Sequence, residues 1–327
     1  MKHPLKQRAI ALAVSAGLTL SAFVGTSHAQ DPINVVTTVG MITDVVANVG
    51  GARVTVNGLM GAGVDPHLYR PTASDVGTLQ DADIVFRGGL HLEGKMDEIF
   101  DRISTRIPVY AMADDLTVDQ LLDFPQFPEF HDPHIWFDVS LWSSGVGVVE
   151  RALSEYDPVN AAEYAANAAA YQEKLTALDT YILEAVATIP EGQRTLITAH
   201  DAFKYFGRRY GITVEGLQGI STEAEAGVQD VQNLVALVVE NQIPAIFVET
   251  SVPARTIEAV IEAARAQGWD VQIGGTLYSD APGDAGTLEG TYIGMVLHNV
   301  IVMVTSLGGE LPPLPDALAD YQLMLES

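Results

Sequence analysis

The stretch His131-Asp132-Pro133-His134-Ile135-Trp136-Phe137-Asp138 sets two imidazoles and two carboxylates around a rigid proline within eight residues. Imidazole and carboxylate are the usual ligands of borderline divalent cations, so a cluster of this kind points to a metal. Taken alone, it is equally a polar loop that happens to hold two histidines. Three further segments shift that balance: Asp65-Pro66-His67, Thr198-Ala199-His200-Asp201 and Tyr278-Ser279-Asp280, each placed where a loop would leave a strand. Four separate loops then offer one coordinating group apiece: His67, His134, His200 and Asp280. Three neutral imidazoles and one carboxylate make a nitrogen-rich, four-coordinate site that suits Zn2+ and tolerates Mn2+. Each residue singly has a plainer reading, Asp280 above all, because it sits in a loop with Asp284 and glycines. The joint placement carries the argument.

The elements that must position these groups alternate in type. INVVTTVG from Ile33 is a β-branched run closed by glycine, and MITDVVANVGG repeats apolar residues at helical spacing before two glycines. Further strands are expected at 53–56, 83–86 and 107–110, with a short helix near 72–80 capped by Thr72 or Ser74. Residues 116–130 lack periodicity and read as a loop that delivers the 131–138 cluster; Asp138 or Ser140 then caps a helix running to about Leu153. Residues 159–189 are rich in Ala, Glu, Leu and Gln and contain no Gly or Pro. They predict the longest helix, about 45 Å at 1.5 Å per residue. A second alternation follows, with strands at 195–199, 212–214, 245–248 and from 271, and helices at 201–209, 228–240 and 255–267. The apolar run 292–307 is short for a membrane span and is interrupted by His298 and Asn299, so it reads as a buried helix.

The expected fold class is therefore α/β, with two lobes, each a mostly parallel sheet flanked by helices, joined by one long rigid helix. The divisions are 30–156, 157–190 and 191–327. Ligands bind outside the carboxyl ends of parallel strands, which places the four groups in the cleft between lobes.

Residues 1–29 begin with Lys2, Lys6 and Arg8, continue as an apolar run from 10 to 24, and end in Ser27-His28-Ala29. This is the pattern of a secretory signal, with a mature chain starting near Gln30. The 327 residues include no cysteine, which excludes disulfides, thiolate metal ligands and a lipid-modified cysteine. A soluble periplasmic protein is the expectation. The formal charge is −25 and becomes more negative without the basic signal, so nucleic acid and anionic lipid surfaces are repelled.

The segments DPHLYRPTASDVGTLQDADIVFRGGLHLE, HDPHIWFD, ITAHDAFKYFGRRYG and YSDAPGDAGTLEGTYIGMVLHN, in that order, resemble the successive signatures of the cluster A-I (cluster 9) metal-binding proteins of zinc and manganese ABC importers. The resemblance covers nearly all of the chain after residue 30. It implies a carrier, not an enzyme, whose ligands fall on His67, His134, His200 and Asp280. It also implies limited hinge motion about the long helix, a monomer, a transition-metal ion as cargo and an ABC permease as membrane partner, and it leaves open a metallochaperone that loads the site.

Manganese members of that family usually have Glu where this chain has His200, so the resemblance implies Zn2+ before Mn2+. Many zinc members carry a long His- and acid-rich loop before D-P-H-x-W, and here that loop is only the short 116–130 segment. Arg70 stands where the family often has Glu, so no role carries over to it. His131 is a decoy, His91 and His298 read as structural, and Glu249, at the end of a buried strand, either orients a histidine by accepting its free N–H or forms hydrogen bonds within the C-terminal lobe. The alternatives are a manganese carrier of the same fold and a zinc-dependent hydrolase, which needs an open metal position and a base from Asp280 or Glu249. An adhesin finds no additional binding module in the sequence.

Overall fold

The β-branched run INVVT forms a central strand, β1 (Ile33–Thr37), whose residues are buried except for the half-buried Asn34. A strand covered on both faces has no solvent side to pattern, which is why it reads as a continuous apolar run. β1 lies between β2 (Val54–Gly58) and β3 (Ile84–Arg87), and β4 (Val109–Ala111) completes an all-parallel sheet of order β2-β1-β3-β4. This computed structural model describes residues 1, 31–125 and 127–326, so the expected secretory signal and its cleavage point lie outside the described residues. The crossovers are α1 (Gly40–Gly50), α2 (Ala73–Gln80) and α3 (Asp97–Ile103). Thr72 starts α2 through a reciprocal cap: its hydroxyl accepts from Asp75 N at 3.3 Å, and the Asp75 carboxylate accepts from Thr72 N at 2.6 Å.

In the second half, β5 (Thr195–His200) pairs in parallel with β6 (Thr213–Gln218), and β7 (Ala245–Glu249) with β8 (Gln272–Leu277). β5 also packs beside β7. Helices α6 (Lys204–Tyr210), α7 (Val228–Glu240) and α8 (Arg255–Ala266) connect them. Several boundaries differ from expectation. β6 and β8 run several residues beyond the apolar stretches that announced them, because parallel partners supply ladder hydrogen bonds to Gly216 and to Gly275-Thr276. α6 starts at Lys204 instead of 201, because residues 201–203 turn first, with Asp201 N held by the Gly219 carbonyl at 3.5 Å and Ala202 and Phe203 packed into the core.

Three long helices join the halves: α4 (Val139–Tyr156), α5 (Ala161–Ala187) and α9 (Tyr292–Ser306). Asp138 caps α4, accepting from Ser140 N at 3.1 Å and Leu141 N at 3.3 Å. α5 has 27 residues and is about 40 Å long. It is two residues shorter at each end than its composition predicts, since Asp157 closes a separate turn by accepting from Asn160 Nδ2 at 2.6 Å and the Tyr164 hydroxyl at 2.9 Å. α9 is the buried apolar helix anticipated at 292–307, and no helix among the described residues is long and apolar enough to cross a membrane. One cluster of buried apolar side chains runs without interruption from Val36 in β1 through Leu178 in α5 to Leu196, Phe247 and Leu277 in β5, β7 and β8. A smaller cluster lies under α7 and α8. Asp44 ties α1 to both neighbours, accepting from the Tyr171 hydroxyl at 2.8 Å and Tyr292 N at 3.1 Å. The joint between the sheets is thus a packed core, not a flexible strand linker.

Leu178 sits at the centre of that joint with no solvent exposure. Leu178→Ala is expected to lower unfolding free energy by about 3 kcal/mol in urea titration. Glu173→Ala, on the exposed face of the same helix, should stay within about 0.5 kcal/mol of the parent.

Candidate metal centre

The chain contains the tripeptide Asp-Pro-His twice, and both copies fold in the same way. Asp65 Oδ1 accepts from His67 N at 2.8 Å, and Asp132 Oδ1 accepts from His134 N at 3.0 Å. In each turn the proline between them has a fixed φ and no N–H to compete. The copies then diverge. Asp132 Oδ1 also binds His134 Nδ1 at 2.7 Å, whereas the second oxygen of Asp65 accepts from the hydroxyl of Thr222 at 2.6 Å. His200 is the last residue of β5 and Glu249 the last of β7. Their carboxyl ends meet: Glu249 Oε1 accepts from His200 N at 2.9 Å, and Oε2 lies 2.5 Å from His200 Nδ1. Asp280 follows β8 in a loop anchored by Trp136 Nε1, which donates to the Ser279 carbonyl at 3.0 Å, and by a 2.8 Å bond between the hydroxyls of Ser251 and Ser279.

With Nδ1 of His134 and His200 engaged by carboxylates, their Nε2 atoms turn toward a common point. His67 Nε2 is 3.3 Å from His134 Nε2 and 3.7 Å from Asp280 Oδ2. Asp280 Oδ1 is 3.5 Å from His134 Nε2 and 3.3 Å from His200 Nε2. One atom from each of the four residues lies within 4.8 Å of all the others. His134, His200 and Asp280 are fully buried and His67 is 6% exposed. Neither Asp280 oxygen nor His200 Nε2 has a hydrogen-bond partner of proper geometry. Buried polar atoms left in that state are costly unless a charge answers them, so the cage is shaped for a cation.

The titration behaviour follows from burial and neighbours. Burial favours the neutral form of His67 and pulls it down to about 3, against the opposing charge of Asp280. Burial acts the same way on His134, yet the adjacent carboxylates of Asp132 and Asp280 outweigh it and hold this imidazole up at about 9. Glu249 and Asp280 likewise override burial at His200 and raise it well above the ordinary histidine range. For Asp280, burial would favour the neutral acid, but His200 and His134 keep it ionised well below the usual carboxylate range. The neighbouring carboxylates thus favour the imidazolium form at His134 and His200, and burial favours the neutral ring at His67.

The four groups expected from the sequence are the four that meet here. His131 does not join them. Its Nδ1 is buried without a partner, and its backbone bridges Asp123. His91 stacks on Phe130 with ring centres 4.1 Å apart and contacts Asp97 Oδ2 at 2.6 Å, and His298 Nε2 meets the Thr276 carbonyl at 3.0 Å. Of the two roles open to Glu249, the structure shows its carboxylate against N and Nδ1 of His200. The repeated Asp-Pro-His turn could have been read from sequence. The Thr222 contact could not, because 157 residues separate it from Asp65 and no periodicity links them.

Residues 35–306 match the family described as zinc-uptake complex component A, periplasmic. The zinc-binding protein TroA of Treponema pallidum is 47% identical over 300 residues, covering 91% of this chain and 96% of that protein. The manganese-binding lipoprotein MntA of Bacillus subtilis is 44% identical over 279 residues, covering 85% and 91%. The solved structure of the periplasmic zinc-binding protein TroA superposes with a TM-score of 0.82, covering 84% of this chain and 99% of the other.

In metal-free protein, the imidazole NMR signals of His134 are expected to titrate near 9. Those of His67 should show the neutral ring throughout the range pH 5 to about 8, and an imidazolium at His67 in that range would contradict the electrostatic description.

Proposed function

We propose that this chain, which belongs to the family of periplasmic zinc-uptake component A proteins, captures Zn2+ through His67, His134, His200 and Asp280 and delivers it to the membrane permease of an ABC importer. The observation that carries the reading is the size of the cage. A tetrahedron with metal–ligand bonds near 2.0–2.1 Å has edges of about 3.3 Å. Four of the ligand-atom separations, 3.3, 3.3, 3.5 and 3.7 Å, approach that value, with Asp280 presenting Oδ1 to His134 and His200 and Oδ2 to His67, and one atom from each of the four residues lies within 4.8 Å of the others. Three imidazole nitrogens and one carboxylate also form a ligand set that favours zinc.

Manganese is the second reading. Asp280 turns both oxygens toward the imidazoles, Oδ1 to His134 and His200 and Oδ2 to His67, which would supply a fifth bond to a cation that accepts higher coordination. A hydrolase is not favoured. Both oxygens of Glu249 are engaged by His200 and both of Asp280 face the cage, so neither stands free as a base beside an open position. The carrier acts in the periplasm as a monomer, with residues 1–29 as its secretory signal and with no lipid anchor. A metallochaperone is a partner to test for. The lobes 30–156 and 191–327, with 157–190 as the connecting helix, are the units of any hinge motion. The apolar cluster that crosses them supports a small amplitude.

The deciding experiment is metal analysis of protein purified from the periplasm, followed by competitive titration of the metal-free form with Zn2+ and Mn2+. The expected result is about one zinc per chain that excess manganese does not displace, and retention of manganese over zinc would transfer the reading to the second metal. Uptake near pH 7 should release about two protons per ion, because His134 and His200 are protonated in the free cage and must be neutral to coordinate. Affinity therefore falls as pH is lowered, rises with pH through neutrality, and levels off only above the raised value of about 9 at His134.

His134→Ala is expected to weaken zinc binding by at least about a hundredfold, and His131→Ala by less than about threefold, in competition with a chelator of known affinity. Equal losses in the two variants would remove His134 from the site.

A further inference from the structure

The four ligands are not held alike. His134 and His200 each have a buried carboxylate on Nδ1, and Asp280 is enclosed completely. Among the described residues no carboxylate grips Nδ1 of His67. Its position depends on its backbone N–H, which Asp65 Oδ1 accepts at 2.8 Å. Asp65 is fixed in turn by Thr222, a buried residue of the segment between β6 and α7 in the opposite half of the chain. The next residue, Glu223, reaches the same way and pairs with Lys95 Nζ at 2.6 Å. Two consecutive side chains of one loop thus cross the cleft, and one of them leads directly to a cage histidine.

The surroundings give this asymmetry a direction. His67 is the single cage residue that lines a cavity of about 190 Å³, whose wall includes His91, Phe124 and Phe130 and whose rim carries Lys95 and Glu223. His67, Lys95 and Glu223 thus share one cavity, and His67 is the cage residue nearest its space. The other three ligands lie behind it with no solvent exposure.

We infer that Thr222 is a positioning residue for metal retention: through Asp65 it keeps His67 on the ion, and withdrawal of the 221–223 segment frees His67 first and opens the ion to the cavity. The inference rests on the reading of the cage as a metal site. It makes the loop between β6 and α7, not the ligands themselves, the part on which a partner must act to obtain the metal. It also explains why the two Asp-Pro-His turns differ. The Asp132 copy locks its own imidazole, and the Asp65 copy hands control to the other half of the molecule.

The test is the rate of zinc release into a strong chelator, followed by stopped flow, for the parent, Thr222→Val, Thr222→Ser and Lys95→Met. Thr222→Val keeps the shape and removes the hydroxyl. It is expected to release zinc about tenfold faster, the worth of one buried hydrogen bond to a carboxylate, while the melting temperature of the metal-free protein falls by no more than about 2–4 °C per kcal/mol lost, so that the fold is retained. Thr222→Ser restores the hydroxyl and should return to the parent rate. Lys95→Met, at a half-exposed pair where folding is not at stake, should give a rise of about two- to threefold that disappears when the parent is measured in high salt. Release from Thr222→Val at the parent rate, or equal acceleration by Val and Ser, overturns the inference while leaving the carrier reading intact. A parent chain that takes up no zinc overturns both.

Discussion

The structure depends on one arrangement: imidazole rings whose Nδ1 atoms are engaged by buried carboxylates, so that their Nε2 atoms turn toward a common buried point. Asp132 and Glu249 hold His134 and His200 in this way at 2.7 and 2.5 Å. A histidine fixed at Nδ1 has a defined tautomer and a more basic second nitrogen, which is the property a metal ligand needs. Placing Asp280 among these rings creates a dense cluster of charge in a low-dielectric interior. Such a cluster is stable only when its charges sum favourably. The carboxylates hold His134 and His200 toward the imidazolium form in the metal-free chain, and on the proposed function a divalent ion takes the place of those protons.

The candidate cage draws on both halves of the molecule, so its geometry depends on how they are held together. The first half contributes His67 and His134 and the second contributes His200 and Asp280, so a hinge with wide travel would dismantle the cage each time it moved. The fold avoids this by continuing its apolar core across the joint, from Val36 through Leu178 to Phe247, and by tying α1, α5 and α9 together through Asp44. The segment after β6 is the one whose contacts cross the cleft beside His67.

Much of this was legible in the sequence where the determinants are local. The Asp-Pro-His turns need only three residues, the cap of α4 needs only Asp138 and the two residues that follow the next one, and the β-branched run of β1 announces a buried strand without outside help. The four candidate groups were legible because His200 ends β5 and His67, His134 and Asp280 lie in the loops that follow β2, β4 and β8, and parallel topology gathers such loops. What was not legible depends on distant partners. The extension of β8 past Ile273 runs through two glycines and a threonine that have no strand pattern of their own and are recruited by β7. The late start of α6 is set by a carbonyl of Gly219, eighteen residues downstream of Asp201. Thr222 has no distinguishing neighbours in sequence, and its role appears only when the fold brings it onto Asp65.

The central claim is that these four side chains, and no others, surround the ion. The most direct test is a crystal structure of the zinc-loaded protein with anomalous scattering recorded on both sides of the zinc absorption edge. The account predicts one strong anomalous peak per chain, within about 2.0–2.2 Å of Nε2 of His67, His134 and His200 and of a carboxylate oxygen of Asp280. A peak displaced to His131 or His91, or one coordinated by fewer than three of the four residues, would contradict it.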